Sequence, residues 1–195
     1  MMRRISGWRV PLALAAASLL AAFAPRAAMR FERAAIAEGE IWRLVTGHFA
    51  HLGPRHLALN LAGLLLVWFL VGGTWGGLQW LFVVAACIAG MDLGFWLLGE
   101  RLAWYVGLSG LLHGLLAAGI VGRVRGAPVE SLALGAVLAG KLAWEQLAGP
   151  LPGSAGTVEG PVVVDSHLFG ALAGAAAALL LAARAAVHTS TGRKP

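Results

Sequence analysis

Gly107-Leu108-Ser109-Gly110-Leu111-Leu112-His113-Gly114 and, far downstream, Val164-Asp165-Ser166-His167-Leu168-Phe169-Gly170 decide how this chain is read. Each puts a reactive side chain, the Ser109 hydroxyl or the His167 imidazole, in a stretch apolar enough to span a bilayer. Polar groups at membrane depth are costly, and so are functional suspects by default. Serine is a weak nucleophile until a nearby imidazole takes its proton. The two stretches together point to hydrolysis by an activated serine inside a membrane.

Composition agrees with that setting. Of 195 residues, 59% are hydrophobic and only 12% charged, where a soluble domain carries roughly twice that charged fraction. Six spans of about 20 residues would use roughly 120 positions, leaving short loops and no separate soluble domain. A net charge of +6 would suggest nucleic acid in a soluble protein. Here arginines flank the spans as anchors, so the expected environment is the lipid bilayer and no nucleic-acid partner. Cys87 stands alone in an apolar run, which gives neither a disulfide framework nor a CxxC metal motif. It reads as a packing residue.

The apolar runs predict an all-α bundle over residues 1–188, with spans near 10–24, 56–74, 78–98, 103–122, 129–148 and 162–187, then a polar, disordered tail over 189–195. The first run also resembles a secretory signal, but nothing downstream looks like a soluble secreted domain, so it reads as a retained helix. Arginine and lysine bias sets the orientation. With a cytoplasmic N-terminus, the inner side holds Arg3, Arg4, Arg9, Arg123, Arg125, Arg184, Arg193 and Lys194. The outer side then holds Arg26, Arg30, Arg33, Arg43, Arg55 and Arg101. The fourth and sixth spans both run inward, with Ser109 and His167 each five or six residues past the outer end, roughly 8–9 Å deep. Gly110 and Gly114 form one GxxxG, and Gly170 and Gly174 another. Small residues at that spacing let helix backbones approach closely in lipid.

A third polar cluster opens the second span. His51 precedes it, and His56 and Asn60 lie four residues apart on one helix face. An imidazole N–H and an amide N–H can both donate to the oxyanion of a tetrahedral intermediate.

Taken in order, these motifs resemble the rhomboid family of intramembrane serine proteases. Trp42-Arg43 is similar to the family's Trp-Arg, and His51, His56 and Asn60 to its second-span pattern. Gly107, Ser109, Gly110 and Gly114 fit GxSGxxxG, and His167, Gly170 and Gly174 fit HxxGxxxG. The resemblance implies a six-helix rhomboid-like bundle with Ser109 as nucleophile, His167 as general base and no third carboxylate. It also implies an oxyanion hole of His56, Asn60 and the Ser109 backbone N–H, no cofactor, and Trp42-Arg43 in a half-inserted outer loop. The small size, Lys141-Leu142-Ala143-Trp144-Glu145-Gln146 and the His167 stretch look more narrowly like the rhombosortase branch. That branch implies substrates that are surface proteins with a C-terminal Gly-Gly motif, a hydrophobic transmembrane helix and a basic end. It also implies a bacterial inner-membrane location with the site open to the periplasm. A general rhomboid protease acting on other single-span proteins, or a non-catalytic binder of membrane clients, is the alternative reading.

The remaining polar residues have plainer readings. His113, four residues after Ser109, stands where many rhomboids carry an aromatic. It reads as a stacking partner of the catalytic imidazole, since a helix-mate is poorly aimed at its own serine. Asp165 and His167 are two apart and do not face each other on a helix, so Asp165 reads as solvated. Lys141 and Glu145 form an intrahelical ion pair, or Glu145 and Gln146 recognise the substrate. Asp92 has no obvious partner and is assigned to backbone or serine hydroxyls. His48, His51, His56, His113 and His167 lack an HExxH arrangement, so no metal site is expected. His188 reads as a solvated tail residue.

Overall fold

The structure, a computed structural model, describes residues 8–99, 102–158 and 160–191. Arg3, Arg4, Arg101, Arg193 and Lys194, with the end of the expected tail, lie outside the described residues. Helix α1 (Arg9–Ala21) is followed by a folded connection. It holds α2 (Arg26–Met29), strand β1 (Phe31–Glu32), α3 (Arg33–Ala37) and α4 (Arg43–Thr46). The long helices α5 (Pro54–Val71) and α6 (Gly77–Leu97) come next, then strand β2 (Trp104–Tyr105) and α7 (Ser109–Arg123). Helix α8 (Pro128–Ala148), the short α9 (Ser154–Val158) and α10 (Val164–Thr191) complete the order.

Local chemistry explains the boundaries. Pro54 and Pro128 sit in the first turns of α5 and α8, where a missing N–H costs nothing and a fixed φ favours the helix. The Gln79 side-chain oxygen accepts the Gly76 N–H at 2.8 Å, closing the tight turn between α5 and α6. Helix α8 ends at Gly149, whose φ of +82° is a backbone state that L side chains resist.

Among the described residues three helices, α5, α6 and α10, are long and apolar enough to cross a membrane. The other expected spans fall short for different reasons. Helix α1 has 13 residues and α7 has 15, against about 20 for a full crossing. Helix α8 has 21 residues but carries Glu130, Lys141 and Glu145. The expected fourth span departs most: residues 103–108 are not helical, and α7 starts at Ser109 itself. A depth counted in helical rise from residue 103 therefore does not apply to Ser109. The sixth helix keeps its expected place and runs on to Thr191, into the stretch expected to be tail.

The core is built around α7. Helix α6 buries Trp80, Val83, Cys87, Met91 and Phe95, a stripe at helical spacing, with Cys87 as the packing residue its surroundings suggest. Helix α7 buries small residues, among them Gly110, Gly114, Ala117, Ala118 and Gly119, and so admits neighbours on several sides. A Cβ on Gly170 would fall on the Gly110 carbonyl oxygen, and one on Gly174 on that of Gly114. Rising numbers pair with rising numbers, so α7 and α10 run parallel with their two GxxxG motifs face to face.

The connection between α1 and α5 is pinned to the start of α7. Strand β1 pairs antiparallel with β2, Phe31 opposite Tyr105 and Glu32 opposite Trp104. The Gly107 N–H donates to the Gly47 carbonyl at 3.1 Å. Arg43, buried, donates to the carbonyls of Ala27 (2.6 Å) and Arg30 (3.0 Å) and to Glu40 (2.6 Å). Trp42 is exposed, with its indole N–H on the Ala28 carbonyl at 3.2 Å. This pair of residues holds the loop to itself.

Candidate active site

Ser109 is the first residue of α7, and its position follows from the glycine two residues earlier. Gly107 has a φ of +132°, a conformation that favours glycine, and it turns the extended β2 segment into the helix. A side chain there would also press on the His56 ring, 3.0 Å from Cε1 and 3.2 Å from Nε2. The Ser109 N–H, opening the helix, has no intrahelical acceptor.

His167 lies one turn into α10, facing α7. Its Nε2 is 3.0 Å from the Ser109 Oγ, within hydrogen-bond reach for a nucleophile and its base. The register that brings them together is the glycine contact between α7 and α10.

His56, Asn60, Ser109, His113, Lys141, Glu145 and His167 all line one cavity of about 250 Å³. His56 and Asn60 are both buried on one face of α5. The Leu52 N–H donates to His56 Nδ1 at 3.3 Å, so the His56 proton resides on Nε2, the nitrogen beside Gly107. The Asn60 amide donates one N–H to the His56 carbonyl at 3.0 Å, which fixes its plane and leaves a second N–H to give. His51 does not reach the cavity wall. It sits edge-on to His56 with ring centroids 5.1 Å apart. Burial, and then the neighbouring His56, push its pKa down to about 4, so it is neutral at physiological pH.

Three sequence readings change on contact with the geometry. The absence of a third carboxylate is overturned: Glu145 Oε2 lies 2.9 Å from His167 Nδ1. The expected ion pair is present too, with Lys141 Nζ 2.7 Å from Glu145 Oε1, but it faces the site. Gln146 is exposed and does not line the cavity. Asp92 does have a partner, since its Oδ1 accepts from His48 Nε2 at 3.0 Å beneath the loop rather than in the cavity. Asp165 is exposed.

His113 stacks on His167, with ring centroids 4.2 Å apart and planes 20° from parallel. Its Nδ1 is 2.7 Å from the Ser109 carbonyl oxygen and must carry the proton, because a carbonyl only accepts. His113, Glu145 and His167 also form the described grouping nearest to a metal site. The geometry speaks against that use. Lone pairs in the planes of two stacked rings do not converge on one ion, and both His167 nitrogens are already engaged. A nucleophile bonded to a base that is bonded to an orienting group is instead the arrangement of acyl transfer.

Glu145 was the residue hardest to assign from sequence, and its inward position is seen only in the fold. Ser131, Leu138 and Glu145 are the buried residues of α8, spaced by sevens on one inward stripe.

A protein-family model described as a rhomboid domain matches residues 38–184, well over half of the chain and every residue of the cavity wall. No curated protein and no solved structure matches the chain significantly.

Proposed function

The chain belongs to the rhomboid family, and we propose that it is an intramembrane serine endopeptidase with Ser109 as nucleophile and His167 as general base. The observation that carries this reading is the 3.0 Å contact between Ser109 Oγ and His167 Nε2 on the wall of a cavity. The protein is integral to the membrane through its apolar helices. All six described helices of 13 residues or more belong to the membrane bundle in this reading.

The chemistry follows from proton bookkeeping. Ser109 Oγ attacks the scissile carbonyl carbon as its proton passes to His167 Nε2. The oxyanion that forms is met by the His56 Nε2–H, the free Asn60 N–H and the Ser109 backbone N–H. His167 returns the proton to the leaving amine nitrogen, the C–N bond breaks, and an acyl-enzyme remains. Water then repeats the sequence and frees Ser109. Each preorganised donor of this kind typically contributes on the order of 100- to 1,000-fold in rate.

For the substrate, the Lys141–Gln146 and Val164–Gly170 stretches support a rhombosortase-like role. Its substrates are membrane-anchored surface proteins ending in Gly-Gly, a hydrophobic helix and basic residues. The arginine bias supports a cytoplasmic N-terminus with the site opening on the opposite face, and the likeness to the rhombosortase branch supports a bacterial inner membrane with that face periplasmic. The test is co-expression with such a substrate and mass spectrometry of its new C-terminus. Ser109→Ala abolishes the cleaved product at unchanged protein level, and processing that persists in that variant refutes the assignment. A labelled fluorophosphonate that marks the wild type but not Ser109→Ala separates an enzyme from a non-catalytic client binder.

A further inference from the structure

We propose that Glu145 is the positioning carboxylate of the site, holding His167 in the one tautomer that can accept the serine proton, and that Lys141 locks Glu145 into that task. This rests on the Ser109–His167 reading above and adds a member to it. To take the Ser109 proton, His167 Nε2 must present a lone pair. A neutral imidazole carries one ring proton, so that proton must sit on Nδ1.

Two groups compete to decide this. Glu145 Oε2, at 2.9 Å, can only accept from Nδ1. Lys141 Nζ, at 3.4 Å from the same nitrogen, can only donate. If the ammonium won, the ring proton would move to Nε2 and face Ser109 as an N–H, leaving the site without a base. The carboxylate is nearer, and it occupies the ammonium through its other oxygen at 2.7 Å. Glu145 is buried and Lys141 half-exposed, so the acceptor holds the inner position. When Ser109 gives up its proton, that proton goes to Nε2, the Nδ1 proton stays on the ring, and Glu145 remains ionised beside the imidazolium. The stacked His113 ring holds the plane from one face and spends its own Nδ1 proton on the Ser109 carbonyl. Both Glu145 oxygens already accept a bond, Oε2 from His167 and Oε1 from Lys141, which fixes the carboxylate in place.

Three readouts test this on the full-length protein in detergent. In Glu145→Gln the volume is kept and the charge lost. Its kcat falls about 100-fold or more with little change in KM, in line with losing the orienting acid of a triad. Its rate of labelling by a small fluorophosphonate, which carries no recognition sequence, falls in step. The second readout is rescue. In Glu145→Ala the ammonium is left to donate to Nδ1, so adding Lys141→Ala restores part of the lost labelling rate. The third needs no activity: the wild type shows two downfield imidazole N–H resonances of protons shared with carboxylates, one from His48 with Asp92 and one from His167 with Glu145, and Glu145→Gln lacks only the second, which Asp92→Asn retains. A Glu145→Gln variant that labels at nearly the wild-type rate, or loses only in KM, overturns the proposal, as does a double variant no faster than Glu145→Ala. A wild type that neither labels nor cleaves counts against the serine-protease reading instead, and the resonance then still decides the tautomer.

Discussion

Among the described residues there are two histidine–carboxylate pairs of almost equal length. His48 Nε2 lies 3.0 Å from Asp92 Oδ1, and His167 Nδ1 lies 2.9 Å from Glu145 Oε2. Both join helix to distant chain, and both rings are buried. They differ in what meets the second nitrogen. His48 Nδ1 is buried without a hydrogen-bond partner, and its ring packs against Phe95 and Tyr105 at centroid distances of 6.5 and 5.5 Å. His167 Nε2 meets a serine hydroxyl beside a cavity. A carboxylate fixes a ring in either place, but only the second ring has a proton to take and room for a substrate. The first pair fastens the connection between α1 and α5 to helix α6, and so holds up the strand pairing in front of Ser109.

The widest separation between the pairs is expected in turnover. His167→Asn lowers kcat at least about 1,000-fold, since a base and its nucleophile act as a unit. Asp92→Asn leaves the kcat of the folded enzyme close to wild type. Steady-state cleavage normalised to folded protein checks both. A comparable kcat loss in Asp92→Asn at wild-type stability would erase the contrast.

In stability the order reverses. Asp92→Ala leaves both nitrogens of the His48 ring unpaired in a fully buried site, at a cost of about 1–3 kcal/mol. His167→Asn costs less, because Lys141 and Glu145 keep each other. Thermal unfolding of the two variants in the same detergent, followed by loss of the helical circular-dichroism signal, measures the difference. Equal losses would mean that the pair under the loop bears no more of the fold than the pair in the cavity.

Sequence pattern carried the reactive residues better than it carried their setting. Ser109, His167, His56 and Asn60 sit in motifs of fixed spacing, and their shared cavity follows from two glycine pairs that a reader can see. The unwound stretch before Ser109 was not legible, because residues 103–108 are as apolar as a helix and only the backbone of Gly107 breaks it. Glu145 was read correctly as the ion-pair partner of Lys141, but its bond to His167 and that of Asp92 to His48 were missed for a common reason. A charge inside an apolar run shows that a partner exists, yet these partners stand on distant parts of the chain, His48 in the turn after α4 and His167 on α10. Neither His48 nor His167 is at a sequence spacing that could announce the pairing.

The helix contact that joins Ser109 to His167 can be loosened without touching either. Gly170→Ala puts a methyl on the Gly110 carbonyl oxygen, backbone against backbone, and overpacking of this kind typically costs about 1–3 kcal/mol. Helices α7 and α10 part, and fluorophosphonate labelling of Ser109 slows along with the loss of stability. Gly140→Ala is the control, since a Cβ there meets nothing within 4 Å. In the open it gains about 0.5–1 kcal/mol of helix propensity. If Gly170→Ala labels like Gly140→Ala, the close approach of the two helices is not what aligns the site.

The smallest effect separates the two rings by what lies against their faces. His48 has Phe95 stacked within 13° of parallel, and His167 has His113 within 20°. An aromatic contact of this sort is worth about 0.5–1.5 kcal/mol, at most roughly tenfold in rate. His113→Phe keeps a ring face and loses the bond to the Ser109 carbonyl, whereas His113→Ala loses both. The phenylalanine variant should therefore cleave faster than the alanine variant and slower than wild type. A second imidazole that competed for the serine proton predicts the opposite, because removing it in either way would raise the rate. Cleavage rates above wild type in both variants would make His113 a rival base, and the likeness between the two stacked histidines would end at their geometry.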